Sequence, residues 1–82
     1  MTFVDVNALA DALAERVVTR PFNIALVEDH NTIEVLLLCE GARYVEARLR
    51  GYRGGNLVAL ADRIYNDTVV AWLFALFAAT RH

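Results

Sequence analysis

Between Asp67 and Arg81 the sequence reads Thr68-Val69-Val70-Ala71-Trp72-Leu73-Phe74-Ala75-Leu76-Phe77-Ala78-Ala79-Thr80, with no charged residue. A helix on the surface of a small domain needs one apolar stripe toward the core and a polar remainder. This run is apolar almost all round, so a helix built from it carries a second oily side. A membrane-spanning helix needs about 20 consecutive apolar residues. The run offers fewer, and extending it upstream brings in Asn66, Arg63 and Asp62. No membrane span is expected, and the segment reads as a core or interface helix.

If Leu57, Leu60, Ala61, Ile64, Thr68, Trp72, Leu76 and Ala79 form the stripe toward the core, Val70, Leu73, Phe74 and Phe77 lie to the other side. Each large apolar side chain left in water forgoes roughly 1.5–3 kcal/mol. Four of them amount to about 6–12 kcal/mol, comparable with the whole stability of a small domain. Three arrangements could cover them. The helix could bend and bury both sides against its own sheet, it could pair with a second copy across a two-fold axis, or it could meet a different protein. Two-fold dimers are the commonest oligomers, so a homodimer is the leading expectation, with Val70, Trp72, Leu73, Phe74 and Phe77 as its contact residues and the aromatic ones as anchors.

The rest of the chain, residues 1–82 read as one domain, reads as a compact α+β unit. Thr2-Phe3-Val4-Asp5 fits a capping box, and Val6, Leu9, Ala10, Leu13 and Val17 recur at helical spacing. Pro21 closes that helix by disfavouring the helical conformation at Arg20. Phe22 to Val27 is rich in strand formers and alternates with period two. Glu28-Asp29-His30-Asn31 reads as a turn, Thr32 to Glu40 as a second strand and Arg43 to Arg50 as a third. The predicted order is helix, three-stranded antiparallel meander, long helix (α-β-β-β-α), with both helices on one face of the sheet and Asn56 capping the second. Asn66-Asp67 could kink or divide that helix, since both are poor helix formers.

Strand register follows from parity. If Ile33, Val35, Leu37 and Cys39 share the core face with Val45, Ala47 and Leu49, the second turn holds an odd number of residues. A three-residue loop, Glu40 to Ala42, achieves this with Gly41 at a left-handed position. A one-residue slip would invert a whole strand. The odd loop leaves Val27, Leu36, Leu38 and Tyr44 on a partly apolar outer face.

A second cluster carries possible binding chemistry. Arg43, Arg48, Arg50 and Arg53 place half of the eight arginines within eleven residues, and Gly54-Gly55-Asn56 follow. Glycines before a helix start let backbone amides approach an anion, arginines grip phosphate or carboxylate bidentately, and Tyr52 could stack on a base. The bland reading is a solvated strand face and a permissive turn. The order of elements is also that of double-stranded RNA-binding domains. Those modules reach phosphates from a lysine-rich helix start, whereas Gly54-Gly55-Asn56-Leu57-Val58-Ala59 carries no cation and ten acidic against eight basic residues give a net charge of −2. Nucleic acid is therefore the lesser expectation and protein the greater.

Catalysis has little to work with. The chain has no Lys, Ser or Gln, which removes a serine nucleophile, a Schiff-base lysine and a phosphate-loop lysine. That bias fits a GC-rich coding sequence, as in actinobacteria or their viruses. Cys39 is a lone cysteine and His30 and His82 have no ligand spacing to it, so no metal and no cofactor is expected. The N-terminus lacks a basic or apolar leader. A small non-enzymatic cytoplasmic regulator, adaptor or inhibitor fits these features.

Overall fold

A computed structural model describes residues 5–29, 32–39, 47–52 and 55–79, with the backbone alone for Asp29, Cys39, Ala47, Arg48 and Ala79. The chain is α+β, in the order α1 (Val6–Val17), β1 (Phe22–Asp29), β2 (Thr32–Cys39), β3 (Ala47–Tyr52) and α2 (Leu57–Ala79). The strands form one antiparallel meander in the order β1-β2-β3, and both helices cover the same face of it.

Helix α1 starts at Asp5, whose carboxylate accepts from the Asn7 amide at 2.9 Å. Asp5 is thus itself the N-cap, rather than the third helical residue of a box begun by Thr2, which lies outside the described residues. Leu9, Leu13 and Val17 are buried as their spacing requires, while Ala10 is exposed and Ala12 takes the inward place beside them. The helix ends at Val17, and the Arg20 amide closes a turn onto the Val17 carbonyl at 2.9 Å.

Strand β1 runs on through Glu28 and Asp29, which pair with Ile33 and Thr32. The expected four-residue turn is shorter, because two of its members extend the ladder. Its remaining residues, His30 and Asn31, lie outside the described part. On β2, Ile33, Val35 and Leu37 are buried, and Leu49 of β3 packs against the same core. The parity argument therefore holds for these residues. The pairing itself is offset by two, since a Glu40–Ala42 loop would put Leu37 opposite Val45, whereas Leu37 faces Ala47. Residues 40–46, which include Gly41, Tyr44 and Val45, lie outside the described part.

The alternation of β3 breaks once. Val35 pairs with Leu49, but Ile33 pairs with Tyr52, so two steps along β2 oppose three along β3. One kind of bulge uses a glycine at positive φ, and Gly51 stands here at φ +93°. The extra residue turns Tyr52 onto the core face, where it is buried beside Leu9, Leu13, Ile33, Leu60 and Ile64. A second buried group, Val17, Phe22 and Leu37, lies further along the sheet, with Val69 and Trp72 packed on it. Since α1 and α2 both pass from the first group to the second, they run the same way.

Helix α2 is continuous through Asn66-Asp67. Asn66 is exposed, while Asp67 and the Thr68 that follows are both engaged. Tyr52 donates to Asp67 Oδ2 at 2.5 Å, and Thr68, fully buried, donates its hydroxyl to the Tyr65 carbonyl at 2.8 Å. Its 23 residues span about 35 Å at 1.5 Å per residue. The eight residues of β1 or β2 reach only about 27 Å. The helix therefore outruns the sheet that supports it, and beyond Thr68 no described side chain is fully buried.

Candidate functional site

The overhang of α2 is where the apolar excess ends up. Val70, Leu73, Phe74 and Phe77 recur at i, i+3, i+4 and i+7, which places them on one helix face. Phe74 is 71% exposed, and the other three lie between 50% and 58%. They line an open hollow of about 290 Å³.

Of two α2 residues expected on the stripe toward the sheet, Trp72 packs there and Leu76 does not. Trp72 is half-buried, with its ring 5.7 Å from that of Phe22. It anchors α2 to the start of β1 and so belongs to the domain's own packing more than to an outward contact surface. Leu76, expected to face the sheet, is 48% exposed. It sits one turn past Trp72, where the sheet no longer reaches. The overhang is thus exposed on both sides.

A second opening lies beside it. Ala14, Val17 and Val18 at the end of α1, with Pro21, Phe22 and Leu38, line a groove of about 500 Å³, shared with the polar Arg20 and Asn23. Val18 is 79% exposed, the highest value among the large apolar residues. Sequence reasoning missed it, although one signal was there. Val18 lies just before the break signalled by Pro21, where the helix stripe ends and its side chain has no further turn to pack on. Groove and overhang share one end of the molecule, because Phe22 lines the groove and touches Trp72 at the base of the overhang.

Of the arginine and glycine group, the described members are Arg48 by its backbone, Arg50, Tyr52, Gly55 and Asn56. Arg50 is exposed on the open face of the sheet, its Nε 3.8 Å from Glu34 Oε1. Arg48 pairs through its backbone with Leu36. Arg43, Arg53 and Gly54 lie outside the described residues. Tyr52 points to the opposite face, where its ring is 3% exposed and the Arg63 guanidinium lies 5.2 Å over it. The expectation that Tyr52 could stack on a base is corrected by the bulge, which makes the ring part of the core. Burial, then the hydrogen bond to Asp67, pushes its phenol well above the usual tyrosine range. Gly55 has φ +146°, and Asn56 caps α2 by accepting from the Ala59 amide at 3.0 Å.

The two helices are joined on their outer side. Arg16 donates through Nε and Nη2 to Asp62 Oδ1 at 3.1 and 2.9 Å, and Arg20 donates to the Tyr65 hydroxyl at 2.8 Å. Both are exposed contacts of the kind worth at most about 1 kcal/mol. Among the described residues there is no group of three or more His, Cys, Asp or Glu placed to hold a metal ion, and no helix is long and apolar enough to cross a membrane. No family model matches the chain, and neither does any curated protein or solved structure.

Proposed function

We propose that this chain is a small non-catalytic protein-interaction domain that joins a second copy of itself through the end of α2, as a cytoplasmic adaptor or regulator. The observation that carries the reading is the exposure of Val70, Leu73, Phe74 and Phe77 on one face of a helix that has outrun its sheet. Their spacing is that of the seam between paired helices, in which side chains three and four apart interdigitate with a partner. With no charge between Asp67 and Arg81, two such ends meet without like-charge repulsion along the run.

Sedimentation equilibrium tests this. The expected mass is twice the 9.2 kDa of one chain, and Phe74→Asp with Phe77→Asp returns it to one while the far-ultraviolet dichroism keeps its shape. A wild type that stays at the single-chain mass up to millimolar concentration overturns the reading. Salt-sensitive binding of duplex RNA or DNA that Arg50→Ala weakens would instead favour the arginine-bearing face.

A further inference from the structure

The exposed end of α2 is small for the task assigned to it. An aromatic side chain presents about 150–250 Å², so Phe74 and Phe77 at 71% and 58% leave roughly 200–300 Å² in water. Val70, Leu73 and Leu76, each about half exposed, raise this to roughly 350–450 Å² if an aliphatic side chain presents about 100 Å². A stable pair buries about 800 Å² on each partner, and below about 600 Å² contacts are weak or transient. A simple seam of one α2 end against another falls short of a stable dimer. It would also leave Leu76, on the far side of the helix, in water.

We propose that the groove beside α1 receives the overhanging α2 end of a second copy, and that the two copies exchange these ends reciprocally. This rests on the self-association reading above and assigns the second half of its interface. The groove is apolar at Ala14, Val17, Val18, Phe22 and Leu38, and its volume of about 500 Å³ exceeds that of the hollow on α2 itself. Because Phe22 belongs to the groove and also touches Trp72 at the root of the overhang, helix end and groove form one continuous surface. A two-fold axis through such a surface sets each helix end against the other copy's groove, which is the self-complementarity that an isologous contact demands. It closes the assembly at two chains, adds the area that α2 alone lacks, and covers Val18 and Leu76 along with the phenylalanines.

Complementation between two variants of the full chain tests the exchange. Val18→Arg blocks the groove at a position exposed enough to leave the fold intact, and Phe74→Asp with Phe77→Asp disables the helix end. Each variant alone should dissociate at least about 30-fold more readily than wild type, the effect of losing a central anchor. Mixed, they should form a heterodimer that neither makes alone, since one undamaged helix end meets one undamaged groove. If Val18→Arg dimerises like wild type and the mixture yields only its homodimer, the groove is not the receptor, while self-association through α2 stands. If both variants are monomeric and the mixture stays monomeric, reciprocal exchange is overturned. A wild type that is itself monomeric removes both readings. Dichroism of each variant shows that its fold is retained, and should Val18→Arg fail to fold, Ala14→Arg, exposed one turn earlier on the same wall of the groove, is the second blocking variant.

Discussion

The Tyr52 hydroxyl donates to Asp67 Oδ2 at 2.5 Å, tying the last residue of β3 to the middle of α2. The phenol is inside only because Gly51 inserts an extra residue into β3. One backbone irregularity thus supplies the polar partner that keeps a helix whole at a point where its own residues favour a break.

Removing that hydroxyl should cost more than a surface contact. A hydrogen bond to a charged group contributes about 1.5–3 kcal/mol, and a half-buried carboxylate recovers part of this from water, so Tyr52→Phe should destabilise the fold by about 1–2 kcal/mol. Asp67→Ala should cost a similar amount, and the double variant little more than either. Urea denaturation of the four chains gives the coupling energy. Coupling indistinguishable from zero would show that the bond contributes nothing to stability.

The same phenol predicts an alkaline limit. Burial and Asp67 raise its pKa in the folded chain, so above the ordinary tyrosine value of about 10 the unfolded chain releases a proton that the folded one keeps. Stability from this group is complete below about pH 10 and falls as pH rises past it. Denaturation midpoints between pH 8 and 11 should decline more steeply for wild type than for Tyr52→Phe, which isolates this residue from the other two tyrosines. Parallel declines would contradict the burial of the phenol.

Gly51 should resist replacement for a backbone reason alone. Nothing lies within 4 Å of an added Cβ, but φ +93° costs an L-residue roughly 1–2 kcal/mol. Gly51→Ala should lose about that much stability, and Gly51→Asn less, because asparagine tolerates the left-handed region. If both variants match wild type in urea, β3 carries no such bulge in solution.

Along α2, truncations should divide sharply into two kinds. Ile64 is fully buried, so Ile64→Ala should cost about 2–5 kcal/mol in the folding of one chain. Phe74→Ala, in a residue 71% exposed, should change the single-chain stability by less than about 0.5 kcal/mol. Measured at dilutions where association is absent, a large loss for Phe74→Ala would place its ring in the domain's own core.

The sequence carried the element order because each element has its own period. Leu9, Leu13 and Val17 recur at helical spacing, and Ile33, Val35 and Leu37 at strand spacing, and these are the residues the core buries. Parity linked β2 to β3 correctly through Leu49, yet the two-residue offset could not be read, since alternation is blind to a shift of two. The inward turn of Tyr52 was hidden for a related reason. A bulge resets the alternation, and Gly51 beside an arginine-rich strand looks the same as any turn glycine. The stripe placed Trp72 toward the core, where it packs on Phe22, but the fate of Leu76 was not legible. Helical periodicity says which side of α2 each residue faces, but the length of the opposing sheet decides whether anything is there to meet it.

Helix α1 is held by helix α2 across 46 positions of chain, as the Arg16–Asp62 pair marks. Leu60, Ala61 and Ile64, which seal the centre of the core, are made only after the meander is complete. The strands with α1 alone therefore have their oily side only partly covered, through Leu9, Leu13 and Val17. Hairpins of this length form locally and fast, whereas closing so long a loop is slow. The cover of the sheet is therefore completed last, when Leu60, Ala61 and Ile64 dock beside α1, and a chain cut upstream of Ile64 keeps only the half that α1 supplies.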